Sequence, residues 1–130
     1  MQFLPIKTRP LLPPKDDLFQ IFDEFLPGLK EGDVLFITSK VVAIHQGRCV
    51  PVSSIEKSEL IKQEADYWTV SDVVPDKDIY LTITDQVLIP SAGIDESNAN
   101  GYYILRPKQL NEITQQMHSY LTQKYKIQDL

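Results

Sequence analysis

The residues best placed to do chemistry lie in one stretch, Ser91-Ala92-Gly93-Ile94-Asp95-Glu96-Ser97-Asn98-Ala99-Asn100-Gly101, between two apolar runs. Six of its eleven side chains carry oxygens or amides and two residues are glycines, so backbone amides and carboxylates can converge there on a small polar or charged ligand. The same composition also suits a solvated turn whose Asp and Asn side chains bond only their own backbone. A second candidate is Thr38-Ser39, which follows the apolar run Val34 to Ile37. A strand-to-helix junction there would aim free N–H groups at one point, a ready anion site; simple capping by Ser39 competes with that reading. His45 is a candidate for proton transfer or metal binding, against a surface or capping role, since the other histidine, His118, is remote in sequence.

Ala92-Gly93-Ile94-Asp95-Glu96-Ser97-Asn98 resembles the A-G-I-D-x-S-N signature of the coenzyme F420-0:L-glutamate ligase family, GTP-dependent enzymes that add glutamates to a deazaflavin cofactor precursor. Gly32-Asp33-Val34-Leu35-Phe36-Ile37-Thr38-Ser39-Lys40-Val41-Val42 resembles the same family's G-D-V-hydrophobic-T-S-K-V-V segment, and Gly47-Arg48 its following G-R. From Ile6 to about Leu121 the chain is similar to the family's N-terminal half only.

The resemblance implies a partial site. Asp95 matches a metal ligand for Mg or Mn. Asn98, Thr38, Ser39 and the Lys7-Thr8-Arg9-Pro10 turn match nucleotide contacts, with GTP as co-substrate. The implied chemistry is that of an acid-amino acid ligase, in which a nucleoside triphosphate activates a carboxylate as an acyl phosphate before an amine attacks it. Read without the resemblance, Arg9 is an exposed residue before a proline. There are also departures from the family pattern. Where the ligases usually read S-K-A-E-G-R or S-K-C-E-G-R, this chain reads Ala43-Ile44-His45-Gln46-Gly47-Arg48. The usual lysine falls on Ile44, so its charge comes from Lys40, from Arg48 or from no residue. The family's later acidic I-T-D-[ST] segment has no counterpart. The expectation is a half-length relative that keeps part of a nucleotide and divalent-metal site and is incomplete as a single-chain ligase. The alternative is a non-catalytic nucleotide-binding or protein-interaction module. In either case the seam covered in longer relatives is expected to pair with a second copy, as a homo-oligomer, or with a partner chain carrying the missing half.

The elements that must position these residues follow from periodicity. Leu18, Ile21, Phe22, Phe25 and Leu26 form one helical face, with Asp16-Asp17 at its start and Pro27-Gly28 at its end. Gln2 to Lys7 reads as an edge strand and Val34 to Ile37 as a buried strand. Lys40 to Gln46 reads as a short helix closed by Gly47, and Cys49 to Val52 as a strand. Ser53-Ser54-Ile55-Glu56 has the spacing of a capping box for a helix from Ile55 to Ala65. Glu64, Asp66, Tyr67 and Trp68 close that helix as an acidic and aromatic cluster, suited to a cofactor ring or to covering core. Thr69 to Lys77 reads as loop. Ile79, Leu81 and Ile83 alternate with Tyr80, Thr82 and Thr84, and Asp85-Gln86 turns the chain into Val87-Leu88-Ile89, a hairpin that delivers the polar stretch. Tyr102 to Leu105 is a further strand. Beyond Pro107, Leu110, Ile113, Met117, Tyr120 and Leu121 stripe a last helix. Hairpins mixed with crossovers predict a single α+β domain over residues 1–130, with a mixed β-sheet and about four helices; a parallel α/β sheet is the runner-up.

Composition bounds the rest. The 130 residues suffice for one real core, and 42% apolar with 24% charged residues is ordinary for a soluble protein. A net charge of -5 argues against nucleic acid as a partner, while the nucleotide and small-molecule substrate are what the resemblance implies. No apolar run is long enough for a membrane span and no secretion signal is recognisable, so no membrane partner is expected. Cys49 is the sole cysteine, which excludes an intrachain disulfide and suits a reducing cytoplasm.

Overall fold

The computed structural model describes residues 2–71 and 79–130. Its elements run in the order α1 (Leu18–Phe25), α2 (Ser39–His45), β1 (Cys49–Pro51), α3 (Lys57–Glu64), β2 (Tyr67–Ser71), β3 (Ile79–Thr84), β4 (Val87–Pro90), β5 (Tyr102–Ile104) and α4 (Leu110–Tyr125). This is an α+β fold with four helices among the described residues, as the sequence predicts. The strands form two small antiparallel sheets, β1-β5 and β2-β3-β4, where one mixed sheet was expected. No parallel pair occurs among the described residues.

Three apolar clusters hold these elements together. Leu18, Ile21 and Phe22 of α1 pack with Val42 of α2 and with Ile113, Met117 and Leu121 of α4. Each such buried side chain is worth roughly 1.5–3 kcal/mol. Leu60 and Ile61 of α3 pack with Tyr80, Ala92, Ile94, Tyr103 and Leu105. Between the two lies a small cluster, Ala43 and Ile44 against Ala99 and Ile104, with Leu11 beside it. Helix α2 therefore has two inward faces. Val42 points to the helices, while Ala43 and Ile44 grip the base of the polar loop.

Local signals explain most element ends. Asp17 caps α1 by accepting from the Phe19 N–H at 2.9 Å, and the helix stops before Pro27. Gly47, at φ 70°, turns the chain out of α2. Asp85 and Gln86 both have positive φ, 50° and 64°, which matches the right-handed twist of the β3-β4 hairpin.

Several expectations are corrected. Gln2 to Lys7 and Val34 to Ile37 are not strands, because neither finds a ladder partner. In the second segment Leu35 and Ile37 pack on the helical core while Val34 and Phe36 are exposed. The capping box does not form either. Ser54 sends both its N–H (3.0 Å) and its hydroxyl (2.7 Å) back to the Pro51 carbonyl, and α3 starts only at Lys57. Tyr67 and Trp68 do not close α3 but open β2, which extends to Ser71 into the expected loop; the remainder of that loop, 72–77, lies outside the described residues. The faces of β3 are also the reverse of a simple apolar-in pattern. Tyr80, Thr82 and Thr84 are buried, whereas Leu81 and Ile83 are exposed. In register with them on the outer face stand Tyr67 and Leu88, both exposed. No described helix is long and apolar enough to cross a membrane.

Candidate functional site

The β3-β4 hairpin delivers the polar stretch through a tight turn, Ser91–Gly93, in which three successive residues have positive φ: 52°, 51° and 68°. Left-handed backbone is costly for Ser and Ala, so something must hold it. Thr82 does. Its buried hydroxyl donates to the Ile89 carbonyl and accepts from the Ala92 N–H at 2.8 Å. Gly93 is needed for a second reason, since a Cβ there would sit 2.8 Å from Arg106 Cγ and 2.9 Å from Ile89 Cδ1. Arg106 is itself fixed by donating to the Thr84 carbonyl at 3.0 Å.

Beyond the turn, Asp95 pairs its backbone with Ile104, with N–H···O distances of 2.9 and 2.7 Å. That bridge makes the root of the Asp95 side chain rigid. Its Oδ1 accepts from both the N–H (2.8 Å) and the hydroxyl (2.7 Å) of Ser97, and its Oδ2 lies 2.9 Å from Lys40 Nζ. Lys40 also donates to the Ser97 carbonyl. The next carboxylate, Glu96, is paired with Lys57 at 3.1 Å. Asn98 is exposed with φ 52°.

The Ser97 hydroxyl first, and the Lys40 ammonium second, hold the Asp95 carboxyl down at about 2 from its ordinary 3.8. A depressed folded-state value means the stabilisation is complete above the unfolded value and is lost as pH falls from about 4 towards about 2. Because the side chain is 41% exposed, screening keeps this contribution under about 1 kcal/mol. Asp95→Asn is therefore expected to change stability near neutral pH by less than about 1 kcal/mol and to flatten the acid limb between those two pH values. Urea melts of both chains across that range check it; identical acid limbs would contradict it.

At the start of α2 the structure joins Lys40 to the loop, through Asp95 and the Ser97 carbonyl, and no hydrogen bond or ion pair among the described residues joins Thr38 or Ser39 to it. Thr38 and Ser39 are exposed; Thr38, not Ser39, occupies the N-cap position, and neither makes a side-chain cap bond. Lys7, Thr8, Arg9 and Pro10 are placed differently. Among the described residues no hydrogen bond or ion pair joins them to the loop at 95–98. The Arg9 guanidinium is bidentate on Asp16, at 2.6 and 2.9 Å, and this holds the Asp16 carboxyl well below the usual carboxylate range. Leu11 alone carries this segment towards the site, packing on the cluster of Ile44, Ala99 and Ile104.

The two cations that could stand in for the lysine replaced by Ile44 are placed differently. Ile44 is buried and faces no ligand space. Arg48 pairs with Glu64 and donates to the Arg106 carbonyl at 3.1 Å. Lys40 is at the loop, paired with Asp95. His45 takes a capping role: its Nδ1 accepts from the Leu18 N–H at 3.2 Å at the start of α1. Trp68 lies against Tyr80 and under the Lys62 ammonium, with ring distances of 6.2 and 5.0 Å. Sequence reasoning missed Thr82, Arg106 and the Lys40–Asp95 contact; a threonine among apolar strand residues is the one signal that could have flagged the first. A groove of about 300 Å³ lies between Val34–Ile37 and α4, lined mainly by apolar side chains such as Val42, Ile113 and Met117, with Ser39, Thr114 and His118 among them.

A divalent cation on these residues meets a poor donor set. Asp95 is a lone carboxylate with both oxygens engaged, and no group of three or more His, Cys, Asp or Glu that could hold a metal ion occurs among the described residues. The described residues alone do not fit the metal that the resemblance implies.

The family model for F420-0:Gamma-glutamyl ligase matches residues 6–128. The match includes both the segment around Thr38–Lys40 and the loop around Asp95. The chain belongs to this family.

Proposed function

We propose that this ligase-family chain binds a nucleoside triphosphate, GTP by resemblance, through Thr38, Ser39 and Asn98, whose two segments are joined by the Lys40–Asp95 pair. The observation that carries the reading is that pair. It joins the two most family-like segments of the sequence, 55 positions apart, at 2.9 Å. The exposed hydroxyls of Thr38 and Ser39 and the amide of Asn98 supply neutral donors and acceptors suited to phosphate oxygens and a base edge. The small-molecule substrate would present a carboxylate for activation. Arg9, spent on Asp16, positions the N-terminal turn and does not touch phosphate in this reading. Mg or Mn arrives with the nucleotide's own phosphates, and further acidic ligands come from a second copy or a partner chain. The apolar outer face formed by Tyr67, Leu81, Ile83 and Leu88 supports such association. The chain alone is accordingly an incomplete ligase.

Calorimetry with GTP, GDP and ATP, with and without manganese, tests the reading. Saturable GTP binding is expected, weakened at least about tenfold (~1.4 kcal/mol) in Asn98→Ala. Absence of heat with every nucleotide at high micromolar protein would reject the site and favour the second reading, a protein-interaction module, for which the same apolar face is the specific support. Glutamate incorporation by the purified single chain would overturn the claim of incompleteness.

A further inference from the structure

We infer that the resident cation of the Asp95 carboxylate is the Lys40 ammonium, in the place where the family resemblance implies a divalent metal. This inference does not rest on the nucleotide reading, because it concerns the loop with no nucleotide present.

Lys40 Nζ is held between two oxygens of the same loop, Asp95 Oδ2 at 2.9 Å and the Ser97 carbonyl. A carboxylate and a backbone carbonyl are the oxygen donors a hard cation selects. The ammonium stands where such an ion would bind. The other Asp95 oxygen is occupied by two donors from Ser97, and the neighbouring Glu96 is neutralised by Lys57. Each carboxylate of the loop tip thus already has its own lysine. A divalent ion would have to displace the Lys40 ammonium and then tolerate it close by, where like charges repel.

The placement of Lys40 is not accidental to the fold. It sits in the first turn of α2, whose residues Val42, Ala43 and Ile44 are all buried. Ala43 and Ile44 pack on Ala99, at the end of the loop, and on Ile104, the bridge partner of Asp95. The lysine stem is therefore carried on the piece of structure that also fixes the carboxylate. Its side chain is 27% exposed, so the ammonium is partly withdrawn from competing water. In this arrangement the loop keeps its shape without metal, and Lys40 competes directly with any divalent ion for Oδ2.

Manganese titration of the nucleotide-free chain, followed by electron paramagnetic resonance, tests this. Lys40→Met keeps the apolar stem and removes the charge, and it is expected to bind Mn²⁺ at least about tenfold more tightly than wild type. Lys40→Arg, which keeps the charge, is expected to stay as weak as wild type, and Lys40→Met combined with Asp95→Asn is expected to lose the gain. Equal Mn²⁺ affinity in wild type and Lys40→Met, or a gain that persists in the double variant, overturns the inference. A second readout needs no variant at Lys40. Thermal melts of wild type in EDTA and in millimolar Mn²⁺ are expected to superimpose, and a metal-dependent rise that Asp95→Asn abolishes would equally overturn it. Failure of GTP to bind leaves all of these outcomes readable.

Discussion

Gly93→Val is expected to destabilise the chain by about 3 kcal/mol or more, lowering the melting temperature by on the order of 10 °C. Two costs add. At φ +68° a residue with a Cβ loses roughly 1 kcal/mol against glycine. The Cβ would also lie 2.8 and 2.9 Å from Arg106 Cγ and Cδ and 2.9 Å from Ile89 Cδ1. These are side-chain atoms and can move, but Arg106 moves only by giving up its bond to the Thr84 carbonyl. Overpacking of this kind costs about 1–3 kcal/mol, and a β-branched side chain falls at the upper end. Gly101→Ala is the control. Its φ is +81°, yet nothing lies within 4 Å of the added Cβ, so only the backbone cost of about 1 kcal/mol applies. Because Gly93 immediately precedes the Ile94-Asp95 segment, ligand binding should fall with stability. Thermal melts of the two variants beside wild type decide it; a Gly93→Val chain that melts within a degree or two of Gly101→Ala would show that the turn has room the geometry denies.

What was legible in the sequence was what local chemistry dictates. The stripe of Leu18, Ile21 and Phe22 gave α1 because a helical period needs no knowledge of its partner. The Asp85-Gln86 turn was legible because a two-residue hairpin permits few residues. The polar loop stood out by composition, and the family by its motifs. Illegible features were those decided at a distance. Val34 to Ile37 has the composition of a strand, but strand formation requires a neighbour that the described residues do not supply. The alternation in β3 marked a half-buried strand without saying which face turns in, and Thr82 goes inward because its hydroxyl has two backbone partners there. Ser53 to Glu56 has capping-box spacing, but the Pro51 carbonyl takes the neighbouring Ser54 hydroxyl and N–H. Arg9 looked free for phosphate until folding set Asp16 beside it. Lys40 could be named as a spare cation, though nothing local says that its ammonium ends on Asp95. In each case a side chain with several satisfactory partners was assigned by tertiary placement, which periodicity does not encode.

The two buried threonines of β3 offer the sharpest test of how the loop is held. Thr82 and Thr84 are both buried, at 1% and 6% exposure, on the same face of the same strand, and valine replaces either with nearly the same shape. Their hydroxyls are used very differently. The Thr82 hydroxyl serves the Ile89 carbonyl and the Ala92 N–H. The Thr84 hydroxyl, among the described residues, has no hydrogen-bond partner. Thr82→Val leaves the Ala92 N–H and the Ile89 carbonyl without the hydroxyl that serves both, and each unsatisfied buried group costs about 1–3 kcal/mol. It also releases the left-handed Ala92 backbone, whose strain of about 1 kcal/mol then favours rearrangement. The expected loss is about 2–4 kcal/mol. Thr84→Val removes an unpaired buried hydroxyl and replaces it by a methyl group, so it is expected to be neutral or stabilising by up to about 1 kcal/mol. Denaturant melts measure both, and amide exchange at Ala92 to Asp95 reads the loop directly. Faster exchange there in Thr82→Val alone is the expected pattern. Equal stabilities for the two variants would mean that the Thr82 hydroxyl does not hold the turn, and that the placement of Asp95 rests on its bridge to Ile104 alone.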